Sequence, residues 1–362
     1  MRPLVRSSDN PIVTTMDLPR LPGIVDSSSV FNPGAVRWGD RYMLMLRVQT
    51  RGRRTHLVMA ESRNGREFSV WPEIVRIPGL EGLDETVYHV YDPRITPLED
   101  EFLVMFAADT ETGCRLGTAR TRDFQDFEFV GLGDHPDIRN GVIFPARFGD
   151  RYLRYDRPNR MVDAGAPATG DEIVLSESHD LLEWRPLGSV MRGRPRYWDE
   201  RIGAGPPPVR TRHGWLLLYH GIATHFGSVN IYQAGVALFD LHDPLRLIGR
   251  SRDNVLEPRK MYELVGQVPN VVFPSGMIVD EFDSDGFARD DSIHTFRRLF
   301  RAHARVNSTH HDGHTTRTEI GNQIVRTGRL RCKRGDSHQI GFRHARVVGQ
   351  TEVLVNHSDI PV

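Results

Sequence analysis

Cysteine and lysine are almost missing from this chain of 362 residues. The two cysteines, Cys114 and Cys332, are too few for a disulfide framework or a cysteine-built zinc site, which fits a reducing compartment. Lys260 and Lys333 are the only lysines, and the other 45 basic residues are arginine, a bias expected of GC-rich coding DNA. Net charge is missing too: Lys+Arg 47 balances Asp+Glu 47. A formal charge of +0 with no basic stripe argues against nucleic acid as a partner. No apolar run approaches the roughly 18 residues of a membrane span. The first residues, MRPLVRSSDNPIVTTMDLPRLPG, have no apolar signal region, so a cytoplasmic location is expected. Apolar periodicity of 3.6 residues is also nearly absent, which disfavours a helical fold. What remains is 39% hydrophobic and 26% charged residues, enough for a sizeable core.

The chain does contain repeats. Strand-like segments opening on an acidic or glycine turn end at Arg47, Ala107, Arg157 and His220, and their first aromatics are Tyr42, Phe102, Tyr152 and Trp215. These aromatics are 60, 50 and 63 residues apart. A second series follows, each member closing a polar turn on an aromatic or proline: Ala60 to Phe68, Ala119 to Phe127, Leu175 to Trp184 and Ala237 to Pro244. A third, proline-bearing series has five members, at Pro33, Pro93, Pro145, Pro208 and Pro274. Units of about 60 residues made of short strands predict an all-β chain, a five-bladed β-propeller in preference to a pair of sandwiches.

The fifth unit begins at VPNVVFPSGMIVDEF and loses the pattern near Ile293. From His294 to Val362 there are 8 of the 16 histidines and 11 arginines, without a blade signature. The expected organisation is a propeller over 1–293 with an incomplete fifth blade. Residues 294–362 read as a tail of biased composition, either disordered or the product of a reading-frame slip.

The innermost strand of each blade faces the axis, so equivalent positions converge on one funnel. Arg47, Arg157 and His220 each lie five residues after their strand's first aromatic and should meet there. Singly, each reads equally well as a salt-bridged core side chain; in phase, they suggest an anion site. Asp92 of YDPRI occupies the place of Asn32 in FNPGA, opposite that cluster, where a carboxyl could serve as a general acid. Asp156, Asp199 and Glu200 are further carboxylates that spacing does not sort into catalytic groups and ion-pair partners. Arg139-Asn140 and Arg201 sit at loop mouths, common places for ligand contacts. Ligand pairs for a metal do not recur at axis-facing positions, and the His310 to His314 cluster lies in the tail, so no metal is expected.

Taken in order, VYDPRIT, RNGVIFPARF, DRYLRYDRP, WDERIGAGPPPV, GWLLLYHG and QVPNVVFPSGMI resemble the β-mannoside phosphorylases of glycoside hydrolase family 130, from about Ser29 to Ile293. The resemblance implies a five-bladed propeller and an inverting glycoside phosphorylase, a hexosyltransferase. Such an enzyme cleaves a β-mannosidic bond with inorganic phosphate, giving α-D-mannose 1-phosphate and a shorter sugar. It implies Asp92 as the catalytic acid, acting through the 3-hydroxyl of the mannosyl unit. It also implies Arg139, Asn140, Arg157, Arg201 and His220 as phosphate-binding residues, with Asn32, Arg47, Tyr91, Asp156 and Phe273 around the substrate. Arg201 stands where many members carry lysine. No cofactor is implied beyond phosphate as co-substrate. The partners are small mannosides, with neither nucleic acid nor membrane, and a homo-oligomer is compatible with the family. A YYGAADT-like strand, whose aspartate helps bind the mannosyl unit, is expected after the fifth blade's opening and is missing after Ile293. Two other readings stay open: a β-mannoside hydrolase of the same family, and a non-catalytic glycan-binding propeller.

Overall fold

A computed structural model describes residues 4, 6–133, 137–161, 167–224, 229–279, 282, 285–288 and 345–348. Side chains of 160–168 and 345–348 are outside the description. Four antiparallel sheets follow one another along the chain. The first comprises β1 (Ser27–Trp38), β2 (Arg41–Thr50), β3 (Thr55–Ser62) and β4 (Ser69–Ile74). The second comprises β5 (Val87–Leu98), β6 (Glu101–Thr110), β7 (Gly113–Thr121) and β8 (Glu128–Leu132). The third comprises β9 (Ile138–Ile143), β10 (Tyr152–Pro158), β13 (Glu172–Ser178) and β14 (Arg185–Arg192), while the two-residue strands β11 (Arg160–Met161) and β12 (Pro167–Ala168) pair with each other between β10 and β13 in the chain. In the fourth, β15 (Arg201–Ala204) and β16 (Val209–Thr211) both pair β17 (Gly214–Ala223), followed by β18 (Ile231–Phe239) and β19 (Leu247–Arg250). Among the described residues helix is confined to single turns, α1 being Met261–Leu264. Each sheet packs against the next, giving an all-β, propeller-like fold with four blades among the described residues.

The core is divided among the faces between neighbouring blades. Met43, Met45, Val104 and Phe106 join the first blade to the second, and Leu103, Met105, Ile143 and Trp184 the second to the third. Phe144, Tyr155, Trp215 and Phe239 join the third to the fourth, with Phe144 edge-on to Trp215 at 5.0 Å. Fully burying one such side chain stabilises the fold by about 1.5–3 kcal/mol. At the rim, the turn after the third strand repeats in all four blades. Asn64, Asp123, Asp180 and Asp240 each accept two backbone N–H bonds with Oδ1, from Arg66 and Glu67, Gln125 and Asp126, Leu182 and Glu183, and His242 and Asp243.

Between the fourth and first blades runs the segment from Val271 to Ala288. Val272, Val279 and Ala288 pack on the fourth blade, and Ile278 on the first. Its strand β20 (Gly276–Val279) pairs antiparallel with β21 (Ala345–Val348). Apart from β21, the expected tail over 294–362 lies outside the described residues. No helix of the described residues is long and apolar enough to cross a membrane.

Candidate active site

The axial ends of the first three blades share one backbone irregularity. Pairing of β1 with β2 slips between Phe31 and Gly34, of β5 with β6 between Tyr91 and Arg94, and of β9 with β10 between Tyr155 and Arg157. The extra residue at each slip is left-handed: Asn32 at φ 46°, Asp92 at φ 53° and Asn140 at φ 56°. Asn and Asp are the side-chain-bearing residues that tolerate this conformation best, and the bulge re-aims their side chains into the funnel. The fourth blade has no such bulge. There Gly203 lies opposite His220, and a Cβ on Gly203 would lie 2.5 Å from the His220 ring and 2.9 Å from Asn140 Oδ1. Glycine is required because those two groups fill the place of its side chain.

These ends surround a cavity of about 510 Å³. Asp92 is gripped on one oxygen: Oδ1 accepts from Asn32 Nδ2 at 2.8 Å and from Arg47 Nη1 at 2.8 Å. The Arg47 guanidinium is sandwiched between the rings of Phe31, at 4.4 Å, and Tyr91, at 4.6 Å. Burial pushes the Asp92 carboxyl up, but Arg47 and Arg94 outweigh it and hold the group below the ordinary carboxylate value. Arg94 is itself almost wholly buried. It donates Nε–H to the Gly205 carbonyl at 2.8 Å and Nη1–H to the carbonyls of Asp92 and Pro93, tying the second blade to the fourth beneath the cavity floor.

Opposite lies the cationic side. Arg139, Asn140 and Arg157 line the cavity wall, Arg139 and Arg157 being cross-strand partners. Burial lowers the Arg157 pKa to about 10, which still leaves the guanidinium charged at neutral pH. Arg157 Nη1 donates to His220 Nε2 at 3.4 Å. A guanidinium can only donate, so this contact needs a neutral imidazole with Nε2 as the acceptor. Burial, followed by Arg157 and Arg94, holds the imidazole well below its ordinary pKa in agreement. His220 therefore stands behind the wall, with its ring 4.5 Å from that of Phe273. Asn32 Oδ1, Arg47 Nε, Arg94 Nη2, Arg139 Nε, Asn140 Oδ1 and Arg157 Nε are all buried without a hydrogen-bond partner. Unsatisfied buried polar atoms are rare in native proteins, and five of these six belong to residues that line the cavity, Arg94 lying beneath it, so they mark a site built for a polar ligand.

Asn32, Arg47, Tyr91, Asp92, Arg139, Asn140, Arg157 and Phe273 are thus brought to one cavity, with His220 directly behind. Arg201 opens β15 half-buried, near enough to Tyr232 for its charge to act on the phenol, but off the cavity wall. Asp156 is not brought to the site. Alternation along β10 turns it to the other face, where Oδ2 accepts from Arg154 Nε at 3.0 Å and Ser176 Oγ at 3.1 Å in a buried ion pair. Arg94, Tyr232, His89, Asp109 and Gln49 escaped the sequence reading. For Arg94 a signal existed, since it shares the YDPRI motif with Asp92. Among the described residues no group of three or more His, Cys, Asp or Glu side chains could hold a metal ion.

Comparison with known proteins gives the family. The sequence model described as beta-1,4-mannooligosaccharide phosphorylase matches residues 15–283. The beta-1,4-mannooligosaccharide phosphorylase of Ruminococcus albus is 32% identical over 282 residues, 76% of this chain and 81% of that protein. The 1,2-beta-oligomannan phosphorylase of a Thermoanaerobacter species is 27% identical over 304 residues, 81% of this chain and 92% of that protein. Among solved structures, the beta-1,2-mannobiose phosphorylase of Listeria innocua, in complex with beta-1,2-mannobiose, superimposes with a TM-score of 0.67 at 25% identity, covering 77% of this chain and 90% of that one. The cavity, its bulged Asp92 and its facing cations are accordingly those of a chain that belongs to glycoside hydrolase family 130.

Proposed function

We propose that the chain is an inverting β-mannoside phosphorylase, releasing α-D-mannose 1-phosphate and a shorter sugar. The observation that carries this is the pair of guanidinium groups of Arg139 and Arg157, the latter with no hydrogen bond at Nε, with Asn140 beside them and His220 behind, lining one cavity with Asp92. Arginine forks suit a phosphate dianion. With phosphate held there, one of its oxygens attacks C1 of the mannosyl unit in line. The new C1–O bond forms as the bond to the leaving sugar breaks, and inversion gives the α product. The leaving oxygen takes its proton from the 3-hydroxyl, which Asp92 replenishes. In the free site Asp92 is held as a carboxylate; a phosphate dianion nearby offsets the arginine field and raises its proton affinity, so Asp92 takes up a proton from solvent as phosphate binds, and the proton the phosphate loses on bonding to C1 returns to solvent. Phosphate supplies the nucleophile, so no second catalytic carboxylate and no cofactor is needed.

The segment from Val271 to Ala288 together with β21 forms the fifth blade in this reading, and the enzyme is cytoplasmic with mannosides as substrates. The direct test supplies β-1,4- and β-1,2-mannobiose with inorganic phosphate and follows products by NMR. Phosphorolysis yields α-mannose 1-phosphate in step with mannose. Free mannose alone, formed equally without phosphate, identifies a hydrolase instead.

A further inference from the structure

The cavity extends beyond the residues that grip Asp92 and face the phosphate. On β2, Gln49 follows Arg47 by two residues; on β6, Asp109 follows Ala107 by two; on β5, His89 precedes Tyr91 by two. All six line the cavity. Two residues along a strand return the side chain to the same face about 6.6 Å further on, roughly the length of one pyranose ring. Gln49, His89 and Asp109 thus form a second tier above the floor, confined to the first two blades.

This tier is braced. His89 and Asp109 are direct cross-strand partners, with His89 Nε2 3.2 Å from Asp109 Oδ2. The other oxygen, Oδ1, accepts the Tyr91 hydroxyl at 2.7 Å, and Tyr91 in turn packs under Arg47. The Asp109 carboxylate is therefore fixed in orientation, and at 38% exposure its remaining lone pairs face open space. Below it, where the other blades carry Arg47, Arg157 and His220, the second blade has only Ala107, which leaves room for a ring to pass.

We propose that Gln49, His89 and Asp109 bind the leaving sugar, a neutral hexopyranose recognised through a pair of adjacent hydroxyls. The inference rests on the phosphorolysis reading for its direction: in-line attack from the third- and fourth-blade side drives the leaving group toward the first two blades. An oriented carboxylate beside an imidazole and an amide matches the alternating donors and acceptors of a vicinal diol. Charge-assisted bonds of this kind discriminate strongly against a ligand that lacks the hydroxyls.

Calorimetry on the full chain tests this without requiring turnover. Mannose, β-1,4-mannobiose, β-1,2-mannobiose and 4-O-β-mannosylglucose are titrated into the wild type, Asp109→Asn and Gln49→Leu. At least one disaccharide should bind the wild type at least tenfold more tightly than mannose. In both variants most of that advantage should vanish, while mannose affinity changes by less than about twofold. A disaccharide advantage that survives both substitutions overturns the assignment, as does a wild type that binds mannose and every disaccharide alike. Loss of mannose affinity in parallel with disaccharide affinity also counts against it, since the tier would then be part of the floor. Phosphate-dependent turnover in the same samples reports on the phosphorolysis reading separately: disaccharide selectivity without turnover leaves the subsite standing and removes the reaction.

Discussion

At the scale of single residues, the site is a balance of buried charge. Asp92 and Arg157 are each desolvated, and what differs is their company. Asp92 has Arg47, Arg94 and the Asn32 amide, so it stays ionised; Arg157 has a neutral imidazole and no hydrogen bond at Nε, so it waits for an anion. His220 makes this visible in stability. Its folded pKa lies well below the ordinary 6.5, so between those two values the unfolded chain binds more protons than the folded one. The stabilisation from keeping His220 neutral is complete above pH 6.5 and is lost as the pH falls below it, at up to about 1.4 kcal/mol per pH unit. Urea unfolding at pH 7.5 and 5.5 should therefore show a steeper acid loss for the wild type than for His220→Gln. Parallel losses would mean the imidazole is not held neutral by the fold.

At the scale of elements, three bulges do the positioning. A left-handed residue at the axial end of β1, β5 and β9 turns a side chain into the funnel, and the fourth blade solves the same problem with a glycine. Gly203→Ala would press a methyl against His220 and Asn140. The expected result is a phosphate KM raised tenfold or more, with a stability loss of about 1–3 kcal/mol and little change in sugar affinity. Phosphate-titrated initial rates decide this, and an unchanged phosphate KM would separate His220 and Asn140 from the anion site. How far the elements could be read from sequence follows from the same bulges. The period of the strand-opening aromatics was legible because each marks the same strand of its blade, and Arg47, Arg157 and His220 are indeed equivalent. The proline series was a weaker guide. Pro33 and Pro93 directly follow the bulge residue, whereas Pro145 comes five residues after Asn140, so the equivalent feature is the left-handed residue, which spacing does not reveal. Asp156 adjoins Arg157 in sequence, but alternation along β10 puts Arg157 on the cavity and turns Asp156 to Arg154. Arg94, His89 and Asp109 come together only through pairing and close approach across blades.

At the scale of the whole molecule, the ring depends on how the segment after Val271 meets the first blade. Gly276 lies so close to β1 that a Cβ there would fall 2.5 Å from the Ala35 methyl, and Ser275 Oγ donates to the Pro33 carbonyl at 2.9 Å, one residue from Asn32. This seam therefore joins closure of the molecule to the active site. Gly276→Ala should cost about 1–3 kcal/mol by thermal unfolding, and it should also lower activity by displacing Asn32. Full activity at full stability would show that the seam is dispensable.

The central claim is that Asp92 and the facing arginines carry out phosphorolysis. The most direct measurement is phosphate release from α-mannose 1-phosphate in the presence of mannose, glucose or N-acetylglucosamine, comparing the wild type with Asp92→Asn. The expected result is release that requires an acceptor sugar and falls by about 10²- to 10⁴-fold in Asp92→Asn, with the affinity for mannose 1-phosphate largely kept. Release that persists in Asp92→Asn, or that proceeds equally without an acceptor, would contradict it.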